Sequence, residues 1–135
     1  MSNQTTTLDQ FYQSVMQTGN LRTPKHASRL TFAVLHTLGF NLSGGVKREL
    51  AKALPADLAK FLTRGWRLIN IRHKNLPLHD FAKDVARHNG NTDPAVAESG
   101  VRVVFHQIKK SLDDDLIRKV GRDLSPEVRD LWLAA

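Results

Sequence analysis

The chain contains no cysteine, a single tyrosine and only five prolines in 135 residues. Without thiols there are no disulfides, thiolate nucleophiles, zinc ribbons or iron–sulfur clusters, so stability has to come from a hydrophobic core. Long apolar runs are missing too. Even Leu30 to Leu42 is interrupted by Thr31, His36, Thr37 and Asn41, well short of the roughly 20 apolar residues a membrane span needs. Met1 to Thr7 is polar and lacks a basic stretch leading into an apolar run, which predicts a cytoplasmic protein with no membrane association. Acidic residues are scarce relative to basic ones: 13 against 20, a formal charge of +7. What remains is 41% apolar and 24% charged, an ordinary composition for one packed domain over residues 1–135.

The sequence aligns with itself, without a gap, at a shift of 70 residues. Phe11 falls on Phe81, Val15 on Val85, Pro24 on Pro94, Ala27 on Ala97, Val34 on Val104, His36 on His106 and Leu54 on Leu124. Most matches lie at core-type positions, and they include both prolines able to open a helix. Each half therefore reads as the same four helices. Thr7 is a candidate cap for a helix carrying Leu8, Phe11, Tyr12, Val15 and Met16 at three-and-four spacing, with Gly19 after its end. Leu78, Phe81, Val85 and Asn89–Gly90 repeat that pattern. Thr23–Pro24 and Asp93–Pro94 open the second helix of each half, and Ser43 and Asp113 open the third. Ala56 to Leu62 and Pro126 to Leu133 form the fourth. The expectation is an all-α fold of about eight helices in two tandem four-helix repeats, 8–64 and 78–134, packed as a compact pseudo-twofold bundle. A basic linker, 65–77, joins them, either as an extended strap or as a continuation of the preceding helix.

Two copies of a unit of the form Leu-x-x-Phe…Val, with Leu42-Ser43-Gly44-Gly45, Leu54-Pro55-Ala56-Asp57-Leu58 and Gly65-Trp66 in the first, carry a family likeness. The chain resembles the bacterial family catalogued as domain of unknown function 2267, from about residue 8 to 133. The resemblance implies a helical fold and assigns no reaction. The second copy departs from the pattern, with Asp113-Asp114-Asp115 where the first has Ser43-Gly44-Gly45.

Leu42-Ser43-Gly44-Gly45 also looks like the signature of cassette ATPases, but the chain has no Gly-x-x-x-x-Gly-Lys-Ser/Thr phosphate loop. A glycine-opened helix start with Lys47 and Arg48 nearby could hold a phosphate or carboxylate; an ordinary flexible cap is the plainer reading. His36 and His106, equivalent under the repeat, could share a metal or form a pH-sensitive contact. Metal sites need three or four ligands, so two half-buried histidines inherited by duplication are expected instead. The three consecutive aspartates are expected to serve the dipole of the helix they open. No metal, other cofactor or catalytic residue is expected, since no histidine–glutamate motif or activated serine stands out, and an enzyme is the least supported class.

Charge is distributed unevenly. Residues 21–75 carry eleven Lys and Arg against Glu49 and Asp57, a net +9, whereas residues 76–135 carry nine basic and ten acidic side chains, a net −1. The candidate anion-binding or nucleic-acid-binding residues are accordingly Lys47, Arg48, Lys52, Arg64, Trp66, Arg67, Arg72, His73 and Lys74. The expected function is a non-enzymatic interaction module whose basic first repeat and linker bind an acidic protein partner or another copy of the chain. The alternative is nucleic-acid binding through the linker and the Lys47, Arg48, Lys52 face, with phosphate contacts and stacking on Trp66. A small-molecule site between the repeats would require a polar pocket there.

Overall fold

A computed structural model describes residues 3–63 and 75–135, with side chains from residue 8 onward. It is all-α. Among the described residues there are eight helices and no strand: α1 (Asn3–Gly19), α2 (Pro24–Phe40), α3 (Gly44–Ala53), α4 (Ala56–Thr63), α5 (Leu78–His88), α6 (Pro94–Lys109), α7 (Asp114–Asp123) and α8 (Pro126–Ala134). Helices α6, α7 and α8 start 70 positions after α2, α3 and α4, at 94, 114 and 126 against 24, 44 and 56. No helix among the described residues is long and apolar enough to cross a membrane.

Local chemistry sets the boundaries. Thr23 and Asp93 cap α2 and α6 by accepting from the His26 and Ala95 amides, and each is followed by a proline whose missing N–H costs nothing in the first turn. Ser43 and Asp113 do the same for α3 and α7. The first helix differs from expectation: it begins at Asn3, so Thr7 lies inside it instead of capping it. Several polar residues ahead of Leu8 are equally able to start a helix, and each added residue contributes one more backbone bond. After α1 and α5 the chain turns through left-handed residues, Asn20 (φ 54°) in one case and Gly90 (φ 71°) with Asn91 (φ 57°) in the other.

Helices α2 and α6 form the centre. They pack on each other, α1 and α5 pack on both, α4 lies on α2, α8 lies on α6, and α3 meets α7. Exchanging the halves leaves this set of pairings almost unchanged. The inward residues are those the spacing predicted: Ala27, Leu30, Val34, Leu35 and Leu38 on α2, and Ala97, Val101, Val104, Phe105 and Ile108 on α6, all buried. Thr31 and Thr37, also buried, donate to the carbonyls of Ala27 and Ala33 within their own helix, so neither hydroxyl is left unsatisfied. Trp132 fills the second half and donates from Nε1 to the Ile117 carbonyl at 2.9 Å.

At two places residues 70 positions apart touch. Leu30 sits directly over Gly100, where a Cβ would come within 2.7 Å of the Leu30 Cδ1. Glu49 accepts from Lys119 at 3.3 Å, joining α3 to α7. A third correspondence relates the helix ends. A Cβ on Gly39 would collide with the carbonyl oxygen of Leu62, so α4 ends against bare backbone. The position 70 residues on is Lys109, whose Nζ donates to the carbonyl of Trp132, itself 70 positions after Leu62, at 2.7 Å.

Candidate functional site

The basic residues of the first half divide by location. Arg22 and Lys25 flank the start of α2, Arg29 lies one turn further along it, Lys47, Arg48 and Lys52 are on α3, and Lys60 is on α4. None of these seven makes an ion pair or side-chain hydrogen bond among the described residues. In the second half most cations are tied down. Arg129 donates to the carbonyls of Gly121 and Leu124 at the end of α7, Lys109 caps α8, Arg87 pairs with Asp84, and Arg118 and Lys119 pair with Asp115. The Glu49 and Asp115 carboxylates beside Lys119 hold its ammonium above the usual lysine range.

On α3, Arg48 and Lys52 are exposed one turn apart on the outer ridge, while Lys47 is half-buried on the flank. Burial pushes the Lys47 ammonium below the usual lysine range. The three are therefore a two-residue ridge and a flanking lysine, not one flat face. Arg64, Trp66, Arg67, Arg72, His73 and Lys74, together with the strap-or-helix question for the linker, lie outside the described residues.

The glycine-opened start of α3 already holds a carboxylate from within the chain. Ser43 donates from its backbone N–H (2.8 Å) and its hydroxyl (2.7 Å) to one oxygen of Asp123, while its own Oγ accepts from the Val46 amide at 3.5 Å. The carboxylate at this helix start, where an ordinary cap is the plainer expectation, is supplied by α7. Asp113 accepts from the Leu116 amide at 2.8 Å, and Asp114 and Asp115 occupy the first turn of α7. This is the capping and dipole role the sequence suggested.

His36 and His106 occupy different surroundings. The His36 ring is half-buried among Phe32, Phe40 and His88, with centroids 5.2, 4.8 and 4.6 Å away, whereas His106 is exposed on α6. The histidine against His36 comes from α5 and is not its repeat equivalent. Sequence spacing offered no signal for that pairing, because residue 88 corresponds to Thr18 in the other half. No group of three or more histidine, aspartate or glutamate side chains among the described residues is arranged to hold a metal ion.

Two cavities are relevant. An open cleft of about 680 Å³ between α1, α2 and α4 is lined by Tyr12, Ser28, Asp57, Lys60 and Phe61 and runs to Thr63 at the edge of the described residues. Burial pushes the Tyr12 phenol above its ordinary range, against the opposing effect of the Ser28 hydroxyl that donates to it at 3.4 Å, so the phenol keeps its proton at neutral pH. A smaller cavity of about 340 Å³ lies where the two halves meet, between the end of α1, the start of α2, the α5–α6 turn and α6. Sequence reasoning brought neither set of lining residues together, because their convergence depends on how the halves pack.

The result is a protein, helical throughout its described residues, with seven unpaired cations in the described part of the first half, a second half in which five of nine cations are bonded internally, and a mixed polar and apolar cavity at their junction. The chain belongs to the family described as an uncharacterized conserved protein (DUF2267), whose model matches residues 8–131. No curated protein matches it.

Proposed function

We propose that this protein is a non-enzymatic binding module whose basic first half docks on an acidic protein surface. The observation that carries this reading is the contrast in how cations are used. All seven described lysines and arginines of the first half lack an ion pair among the described residues, while five of the nine in the second half, Arg87, Lys109, Arg118, Lys119 and Arg129, serve as caps and bridges. Unpaired exposed cations add little to the stability of a monomer. They accelerate and orient encounters with a surface of opposite charge. Their spread over α2, α3 and α4 suits a broad acidic patch better than a single phosphate track.

The test is recovery of partners from nuclease-treated lysate with the wild type and the Arg48→Glu/Lys52→Glu variant side by side, both substitutions being at exposed positions. An acidic protein bound by the wild type and lost from the variant supports the proposal. Recovery indifferent to the two charge reversals refutes it. Salt-sensitive binding of a 20-base-pair duplex that the same variant abolishes, with no protein recovered, gives the surface to nucleic acid instead. Self-association is checked by measuring particle size at low and high salt.

A further inference from the structure

We propose that the cavity at the junction of the halves binds a small organic carboxylate with an apolar body, and that it lies on a pseudo-twofold axis relating them. The lining itself indicates the axis. His26 and Val96, Arg29 and Ser99, and Leu30 and Gly100 all line the cavity, and the members of each pair are 70 positions apart. Gly19 and Asn89, on opposite sides, are a fourth such pair. A cavity walled by equivalent positions from both halves must straddle the operation that exchanges them.

Equivalent positions would normally give a cavity with two like walls. Here the two walls have diverged. The first half contributes Arg29, a permanent cation, and His26, a ring nitrogen donor. The second contributes Val96, a small hydroxyl at Ser99 and the bare backbone of Gly100. Leu21, Leu30 and Val103 supply apolar surface between them. No aspartate or glutamate lines the cavity, and Arg29 has no ion pair among the described residues. A guanidinium beside apolar surface with no internal counter-charge matches a carboxylate whose remainder is hydrocarbon. One feature of the wall agrees with an occupant. Val96 at the cavity is 63% exposed, one of two large apolar side chains left in solvent among the described residues. The volume, about 340 Å³, falls at the small end of the roughly 300–1,000 Å³ range of ligand pockets.

The inference shares Arg29 with the docking surface proposed above but is tested apart from it, since that surface is tested on α3. The probes are octanoate, octanol and inorganic phosphate, titrated into uniformly labelled full-length protein and followed by amide chemical shifts. Octanoate should saturate and move Gly19, Arg29, Asn89 and Gly100 most. Octanol, which has the body without the charge, and phosphate, which has the charge without the body, should each bind about tenfold or more weakly. Arg29→Gln should cost a similar factor for octanoate while leaving octanol unchanged. Ser99→Phe, at an exposed position, should block all three. Both variants are checked for the wild-type spectrum before titration. Shifts scattered over the surface, equal affinity for octanoate and octanol, or indifference to either substitution would overturn the proposal.

Discussion

Replacing Gly100 by alanine places a methyl carbon 2.7 Å from Cδ1 and 3.1 Å from Cδ2 of Leu30. Unbonded carbons are at ease near 3.5–4.0 Å, so the leucine has to move. It is 5% exposed, and although it borders the junction cavity, its Cδ1, Cδ2 and Cγ all lie within 3.4 Å of the new carbon, so turning one methyl group aside does not relieve the contact. Overpacking of this kind costs about 1–3 kcal/mol, while the better helix propensity of alanine returns about 1 kcal/mol. Gly100→Ala should therefore destabilise by about 0–2 kcal/mol. Leu30→Ala should cost about 2–5 kcal/mol, the range for emptying a buried leucine site. Together the two changes should not add. With the leucine gone the clash disappears, the propensity gain stays, and the new methyl occupies part of the void, so the double variant should be about 1–3 kcal/mol more stable than the sum predicts. Urea unfolding followed by far-ultraviolet circular dichroism measures all three variants on one scale. Additivity within about 0.5 kcal/mol, or a Gly100→Ala protein about 1 kcal/mol more stable than wild type, would refute the close approach of α2 and α6 at this point.

Asp123→Ala removes the acceptor for both the Ser43 amide and hydroxyl; a loss of about 1–3 kcal/mol is expected, with faster amide exchange confined at first to the start of α3. Unchanged exchange at Ser43 would contradict the assigned cap. Gly39→Ala forces a Cβ into the Leu62 carbonyl and should lower the urea midpoint by the equivalent of about 1–3 kcal/mol, whereas a neutral result would mean that α4 does not end there. Lys47→Met removes a half-buried ammonium without an ion pair among the described residues and should raise the urea midpoint at pH 7. The native-state pKa of Lys47 is lowered from 10.5, so the penalty is complete below the native value and fades as pH rises towards 10.5. The advantage of the variant should shrink over that interval, and a lower midpoint at pH 7 would refute it.

The elements most legible in the sequence are those fixed by neighbours a few residues away. Thr23–Pro24, Ser43, Asp93–Pro94 and Asp113 mark helix starts because a cap needs only its own side chain and an amide two or three residues on. The core of α2 and α6 was legible for a similar reason: 3.6-residue periodicity is local. The start of α1 was not, since its polar leader offers several equivalent caps. For the candidate site, the location of the excess charge could be read from composition, but its pairing could not. The sequence contains no sign that Arg129 turns inward onto carbonyls of α7 while Arg48 and Lys52 face solvent. Nor does spacing reveal that Asp123 reaches the helix start at Ser43, or that His88 meets His36, because both contacts arise from packing between distant segments.

The meeting of Leu30 with Gly100, and of Glu49 with Lys119, has a consequence for assembly. Two identical chains joined about a twofold axis must present the same side chain from both sides wherever that axis passes. Bulk would then face bulk and charge would face like charge. Covalent linkage lifts this restriction and allows a leucine opposite an absent side chain and an acid opposite a base. Cut at the linker, two first halves would oppose Leu30 to Leu30 and Glu49 to Glu49, and two second halves would oppose an empty groove to its copy and Lys119 to Lys119. Each half is thus a mate for the other and a poor mate for itself, which disfavours the pairing of two first halves or of two second halves between chains.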